Sequence, residues 1–256
     1  MKLLSFMCED QASWGAIVDG GVVDLGARHA DQYPDLKSFI AAGMPDSVLA
    51  DLGASEISLD HLELAPVIPN PDKSVLAAIN YWEDDSDPDN APAYPVLFLR
   101  LPSSQIGHGT PLIQPRSSDK LDFEGELAVI IGTGGRHIDA AQAMDHVAGY
   151  ACYNDASVRD WQKHSHQFTP GKNFVGTGAF GPWMVQTDDV RIDTDEGGQI
   201  GRLTETFNNM AQDLRGRIQD LNHLNRGIQE LTSRLDLDQV LCSAIAFFTR
   251  HSPADR

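Results

Sequence analysis

Glu124 and Glu126 stand two residues apart at the head of the apolar run Leu127-Ala128-Val129-Ile130-Ile131. Side chains alternate faces along a strand, so the two carboxylates point the same way. The run lacks polar alternation and predicts a strand covered on both faces, where an uncompensated carboxylate is costly. A divalent cation would compensate the pair, because hard oxygen donors on a rigid strand suit magnesium, manganese or calcium. The plainer alternative is a pair of glutamates at a solvated strand end.

Asp155 supplies a third candidate oxygen donor. It follows the mostly apolar run His146 to Cys152 and opens the polar stretch Asp155-Ala156-Ser157-Val158-Arg159-Asp160-Trp161-Gln162. This pattern predicts a strand passing into a short helix, with Asp155, Arg159 and Gln162 sharing one helical face. Such a face offers a carboxylate to a metal, a planar guanidinium fork to a substrate carboxylate and an amide to a substrate oxygen. Alternatively, Asp155 or Asn154 caps the helix and Asp155 pairs with Arg159.

Taken together, Glu124-Gly125-Glu126-Leu127-Ala128-Val129, Ala148-Gly149-Tyr150, Asn154-Asp155-x-Ser157-x-Arg159-Asp160-x-Gln162, Gly171-Lys172-Asn173-Phe174 and Gly181-Pro182-Trp183 resemble the fumarylacetoacetate hydrolase superfamily in order and spacing. The resemblance extends to about Asp195. It implies that Glu124, Glu126 and Asp155 bind a divalent cation, Mg2+ or Mn2+ with Ca2+ as a further option. That cation would chelate a small 2-oxo acid or 1,3-dicarbonyl substrate and, as a Lewis acid, hold the charge of an enolate. The resemblance also makes Lys172 a catalytic and substrate-binding cation, with Arg159 and Gln162 binding and orienting the same substrate. Without it, Lys172 reads as an ordinary loop lysine.

The chain departs from the family at one place that bears on mechanism. Many members carry N-Y-x-x-H-x-x-E on a mobile lid, whereas this chain has Asn80-Tyr81-Trp82-Glu83-Asp84-Asp85-Ser86-Asp87. Asp84 and Asp87 fall where the acid–base His and Glu would be. An aspartate, with an ordinary pKa of about 3.9, is a weak base at neutral pH. Decarboxylation and keto–enol isomerisation therefore fit better than hydrolysis of a carbon–carbon bond, which needs activated water. His108, His164 and His166 are substitute candidates for the missing histidine, although each also reads as a surface residue.

The elements that would position these residues are mostly strands. Trp14 to Leu25 carries a hairpin signal, two β-rich runs around Asp19-Gly20-Gly21. Leu36 to Leu52 has helical spacing, Pro66, Pro69 and Pro71 mark a linker, and Ser74 to Ile79 reads as a strand. Val96 to Arg100 and Ser103 to Gly107 match a family strand and loop, with Arg100 where lysine is common. The expected fold class is α+β, mostly β. It comprises a small N-terminal β-domain over residues 1–65, a metal-binding domain over 66–195 built as an incomplete mixed β-roll, and a long C-terminal coiled-coil helix.

That helix is expected from a seven-residue period. Ile200, Phe207, Leu214, Leu221, Ile228 and Leu235 occupy one position, and Leu203, Met210, Leu224 and Leu231 the other. Sustained heptads of this kind predict a coiled coil. Residues 196–235 resemble the second helix of a HAMP signalling linker, and 236–256 the opening of a GAF-type domain. The junction near Asp195 to Gly198 is expected to leave a β-core with exposed edges, as in a chimeric gene or an assembly artefact. The competing functional reading is a non-catalytic chimeric fragment governed by its coiled coil.

Composition bears on partners. The net charge is −18, and residues 1–195 hold 12 Lys and Arg against 29 Asp and Glu, so nearly all the acidity lies in that part. Neither nucleic acid nor an anionic membrane is expected to bind such a surface. Cys8, Cys152 and Cys242 show no disulfide or metal-site spacing. The sequence has no secretory leader pattern and no apolar run of about eighteen residues. The expectation is a cytoplasmic homodimer acting on a small oxo acid.

Overall fold

The computed structural model describes residues 1–50, 52–79 and 94–187, all within one compact unit spanning Met1–Val190. Asp84, Asp87, the heptads and the HAMP- and GAF-like segments lie outside the described residues.

Strands β1 (Lys2–Cys8), β2 (Gln11–Val18) and β3 (Gly21–Asp24) form an antiparallel meander. Its second turn is the predicted hairpin. Asp19 and Gly20 take φ of 50° and 81° between the paired residues Val18 and Gly21. Positive φ at both central positions defines the turn whose twist matches the flanking strands, and Asp-Gly tolerates it best.

Helices α1 (Leu25–Arg28), α2 (Leu36–Ala41) and α3 (Asp46–Leu49) follow. Asp35 and Ser38 make a reciprocal capping box at the start of α2. The single helix suggested by spacing over Leu36 to Leu52 is thus two short ones. Gly43 and Met44 adopt positive φ and Pro45 follows, which no continuous helix accommodates.

The remaining strands are β4 (Ile57–Ser58), β5 (Glu63–Leu64), β6 (Val75–Ala77), β7 (Leu97–Leu99), β8 (Gln105–Ile106), β9 (Leu121–Asp122), β10 (Gly125–Ile131), β11 (Val147–Asp155), β12 (Ser157–Val158), β13 (Gly178–Phe180) and β14 (Met184–Gln186). Between β12 and β13 lie two single-turn helices, α4 (Arg159–Gln162) and α5 (Thr169–Lys172).

Ten strands make the main sheet in the order β4-β3-β2-β1-β14-β11-β13-β8, with β10 paired to β11 and β5 to β1. The β13–β8 pairing is parallel and the others are antiparallel, so the sheet is mixed. It runs across residue 65, since β1 pairs directly with β14. Its core joins Leu3, Trp14 and Val23 to Leu36, Phe39 and Ile40 of α2 and to Ile130, Ala151 and Met184. Trp14 stacks on Phe39 at 4.6 Å between ring centroids and donates its indole N–H to the Tyr33 carbonyl.

Strand β10 differs from expectation. Leu127, Val129 and Ile131 are 46%, 49% and 60% exposed, while Glu126, Ala128 and Ile130 face inward. The apolar run predicts a strand covered on both faces, and the strand is covered on one. No second strand pairs with β10 among the described residues, and little packs on its outer face. The lack of polar alternation in the sequence does not reveal this, because both faces are apolar.

Candidate metal and oxo-acid site

Four segments distant in sequence converge at the inner face of β10. The register Gly125↔Asn154 places the start of β10 beside the end of β11, and the Asp155 N–H donates to the Glu124 carbonyl at 2.9 Å. Glu124 and Glu126 share the inner face, as their spacing predicts. Asp155 is the last residue of β11 and is fully buried.

Asp155 therefore does not share a helical face with Arg159 and Gln162. The chain remains extended through β12, and helix begins only at Arg159. Asp155 neither caps α4 nor pairs with Arg159. Its Oδ1 accepts from Arg100 Nη1, and its Oδ2 accepts from Lys172 Nζ at 2.6 Å.

Lys172 ends α5 and is 2% exposed. Its ammonium also donates to Glu124 Oε2 at 2.5 Å, so it bridges the two carboxylates. Gly171 lets α5 lie closely against α4, because a Cβ there would lie 2.5 Å from the Gln162 nitrogen. Arg159 donates to Glu124 Oε1, to Asp122 Oδ2 at 2.9 Å and to Gln162 Oε1 at 3.2 Å. Ser157 Oγ donates to Glu124 Oε1 at 3.1 Å.

Asp122, Glu124, Glu126 and Asp155 thus meet Arg100, Arg159 and Lys172, leaving one negative charge in surplus. The surplus falls on Glu126, which has no hydrogen-bond or ion-pair partner among the described residues. Burial, and then the charges of Asp155 and Glu124, raise its carboxyl above the usual glutamate value. Burial pushes Glu124 up too. Hydrogen bonds and charge from Lys172 and then Arg159 outweigh that and hold it below the usual range.

Because Glu126 is raised in the folded state, its favourable contribution is complete below its unfolded pKa and is lost as pH rises through the folded value. At neutral pH its ionised form opposes folding. Glu126→Gln is accordingly expected to raise the metal-free melting temperature at pH 7 and to change it little near pH 4, as a pair of thermal melts would show.

The donor set fits a divalent cation, although no three His, Cys, Asp or Glu side chains among the described residues already close around one position. Three hard carboxylates lie close enough to perturb one another, and two of them already hold a cation, the Lys172 ammonium. By contrast, His108, His164 and His166 are exposed and make no hydrogen bond or ion pair with these groups. Arg100, Asp122 and Ser157 join the cluster in addition to the residues that motif and spacing single out. Asp122 could have been found, because it continues the two-residue period of Glu124 and Glu126.

Residues 72–222 match the fumarylacetoacetate (FAA) hydrolase C-terminal family. The chain belongs to the fumarylacetoacetate hydrolase family. The family match continues beyond the limit near Asp195 set by the motifs, into the heptad segment. Among relatives, the chain is 32% identical to the mitochondrial oxaloacetate tautomerase of Xenopus laevis, over 74% of this chain and 63% of that protein. It spans 59%, 63% and 64% of the length of three such relatives.

Solved structures of family members share the fold. A fumarylacetoacetate hydrolase from psychrophilic Exiguobacterium antarcticum superposes with a TM-score of 0.65 at 32% identity, over 74% of this chain and 68% of that one. Maleylpyruvate hydrolase from Sphingobium sp. SYK-6, solved with manganese(II) and pyruvate, gives 0.60 at 25% identity over 75% and 69%. Among the described residues no helix is long and apolar enough to cross a membrane.

Proposed function

We propose that this chain is a divalent-metal-dependent enzyme that acts on a small 2-oxo acid or 1,3-dicarbonyl compound by way of an enolate. The observation that carries this reading is the Lys172 ammonium bridging Glu124 and Asp155 beside the unpartnered Glu126. Glu124, Glu126 and Asp155 would hold Mg2+ or Mn2+, with Ca2+ as an alternative. When bound, the cation supplies Lewis-acid stabilisation of charge on the substrate oxygens.

The surrounding side chains perform the remaining tasks. Lys172 offers a nearly dehydrated ammonium to a substrate oxygen, where fixed positive charge is worth more than in water. Arg159, partly exposed and paired with Asp122 through its fork, would bind a substrate carboxylate by exchanging Asp122 for it, and Gln162 would orient the same substrate through its amide. A divalent ion would turn the surplus of one negative charge into one positive charge, which favours an anionic oxo acid.

Keto–enol isomerisation or decarboxylation suits this arrangement better than hydrolysis, because Asp84 and Asp87 replace a His and Glu pair as the proposed acid–base residues. The manganese and pyruvate of the Sphingobium enzyme and the tautomerase activity named for the Xenopus relative support the substrate class. A homodimer and a cytoplasmic location are part of the same proposal, as is a division into a small part over residues 1–65 and a metal-binding part over 66–195 that share one continuous sheet.

The test is a side-by-side assay of oxaloacetate, acylpyruvates and fumarylacetoacetate-like diketones with Mg2+ or Mn2+. The expected result is metal-dependent turnover of at least one oxo acid, oxaloacetate tautomerisation first, abolished by chelator. Rates equal to the uncatalysed reaction for every substrate would refute it.

A further inference from the structure

We infer that Arg100 is a positioning residue for the proposed metal site, holding Oδ1 of Asp155 so that Oδ2 alone is presented to a cation. The inference rests on the metal-site reading above. Arg100 follows β7 and is 1% exposed. Its guanidinium donates from Nη1 to Asp155 Oδ1, from Nη2 to the Ala156 carbonyl at 3.2 Å and Thr177 Oγ1 at 2.6 Å, and from Nε to Ser104 Oγ at 3.3 Å. These partners come from three separate segments: the turn before β8, the β11–β12 junction and the approach to β13. A planar fork can satisfy all of them at once, whereas the single ammonium of lysine cannot.

The surroundings fix the fork from every side. Gly178 has no side chain where a Cβ would lie 2.5 Å from the Tyr153 hydroxyl and 2.9 Å from Arg100 Nε, so the guanidinium slot depends on that glycine. The Tyr153 ring centroid is 5.8 Å from the guanidinium carbon. The Arg100 backbone N–H donates to the Ser74 carbonyl at 3.0 Å.

Asn173 clamps the two neighbours of Arg100. Its Nδ2 donates to the Leu99 carbonyl at 3.0 Å, and its Oδ1 accepts from the Leu101 N–H at 2.7 Å. Asn173 is also the residue after Lys172. The same short segment therefore sets the group at Asp155 Oδ2 and the backbone that carries the group at Oδ1. A buried arginine serving stability alone would need a counter-charge, but it would not need the other oxygen of that counter-ion held by an ammonium shared with Glu124.

The experiment measures Mn2+ binding by calorimetry on the full chain, with metal-free melting as a separate readout. Arg100→Lys keeps the charge and loses the fork. It is expected to bind Mn2+ about 10–100-fold more weakly, the usual consequence of removing an outer-shell partner of a metal ligand. Thr177→Val, which removes one partner of the guanidinium and preserves shape, is expected to weaken binding by a smaller factor. It serves as the test if Arg100→Lys does not fold.

Phe39→Leu, a substitution within α2 and the core, supplies a comparison for lost stability and is expected to leave the dissociation constant unchanged. Folded Arg100→Lys, or folded Thr177→Val if that is the test, binding Mn2+ as tightly as wild type would overturn the inference. So would an equal loss of affinity in Phe39→Leu. If the wild-type chain itself does not bind Mn2+, the metal-site reading fails, and the positioning role fails with it.

Discussion

Replacing Lys172 with Met is expected to destabilise the metal-free protein by about 3–5 kcal/mol, the cost of removing one partner from a buried ion pair. Among the described residues Lys172 is the only cation that contacts both Glu124 and Asp155. Both it and Asp155 are almost wholly shielded from water. Without the ammonium, Asp155 keeps Arg100 on one oxygen, while its other oxygen confronts Glu124 and Glu126 uncompensated.

Against a typical net stability of about 5–15 kcal/mol, this loss is severe. It corresponds to a melting temperature lower by roughly 6–20 °C for a domain of this size. The same variant should recover more stability on adding Mn2+ than wild type does, because no ammonium needs to be displaced. Differential scanning calorimetry with and without metal measures both effects. A Lys172→Met protein that melts with wild type in chelator would show that the bridge contributes nothing.

The second large effect is loss of metal-linked stability in the double variant Glu124→Ala, Glu126→Ala. A ligand that binds the folded state at about 100 times its dissociation constant adds about 2.7 kcal/mol, or roughly 5–11 °C here. Wild type is expected to show a gain of this order with Mn2+ or Mg2+, and the double variant none.

The single variants should separate the two roles. Glu124→Ala breaks contacts with Lys172, Arg159 and Ser157 and should lower the metal-free melting temperature. Glu126→Ala removes a carboxylate that its neighbours repel and should not lower it by that route. Equal metal-induced shifts in wild type and double variant would place the ion elsewhere.

The acid side follows from the same residues. Glu124, Asp122 and Asp160 are all held below their ordinary values, so their contribution is present above the unfolded pKa and is lost as pH falls through the folded one. Glu126 runs the opposite way. Protonation of Glu126 also removes a donor, so Mn2+ affinity should fall on mild acidification before the fold itself is lost.

Much of the site was legible in the sequence because it depends on local periodicity. The two-residue spacing of Glu124 and Glu126 fixed their shared face and Asp19-Gly20 fixed a hairpin, whereas Asp155, expected on a helical face, is the last residue of a strand. What could not be read was pairing across long separations. Which cation meets which oxygen of Asp155 depends on the packing of β7, α5 and β13, segments up to 77 residues apart in the Arg100–Thr177 contact.

Helical spacing pointed to Arg159 as a neighbour of Asp155, but the extended β12 intervenes and Arg100 takes that place. Likewise, an apolar strand gives no sign of which face stays open, and the outer face of β10 is decided by what packs on it. Asp84, Asp87 and the heptads beyond residue 195 fall outside the described residues.

The most direct measurement is anomalous diffraction from a crystal of the full chain soaked in saturating Mn2+. The expected result is a single strong peak bounded by carboxylate oxygens of Glu124, Glu126 and Asp155, with the Lys172 ammonium withdrawn from between Glu124 and Asp155. A map with no peak there, in which Lys172 still bridges the two carboxylates, would contradict it.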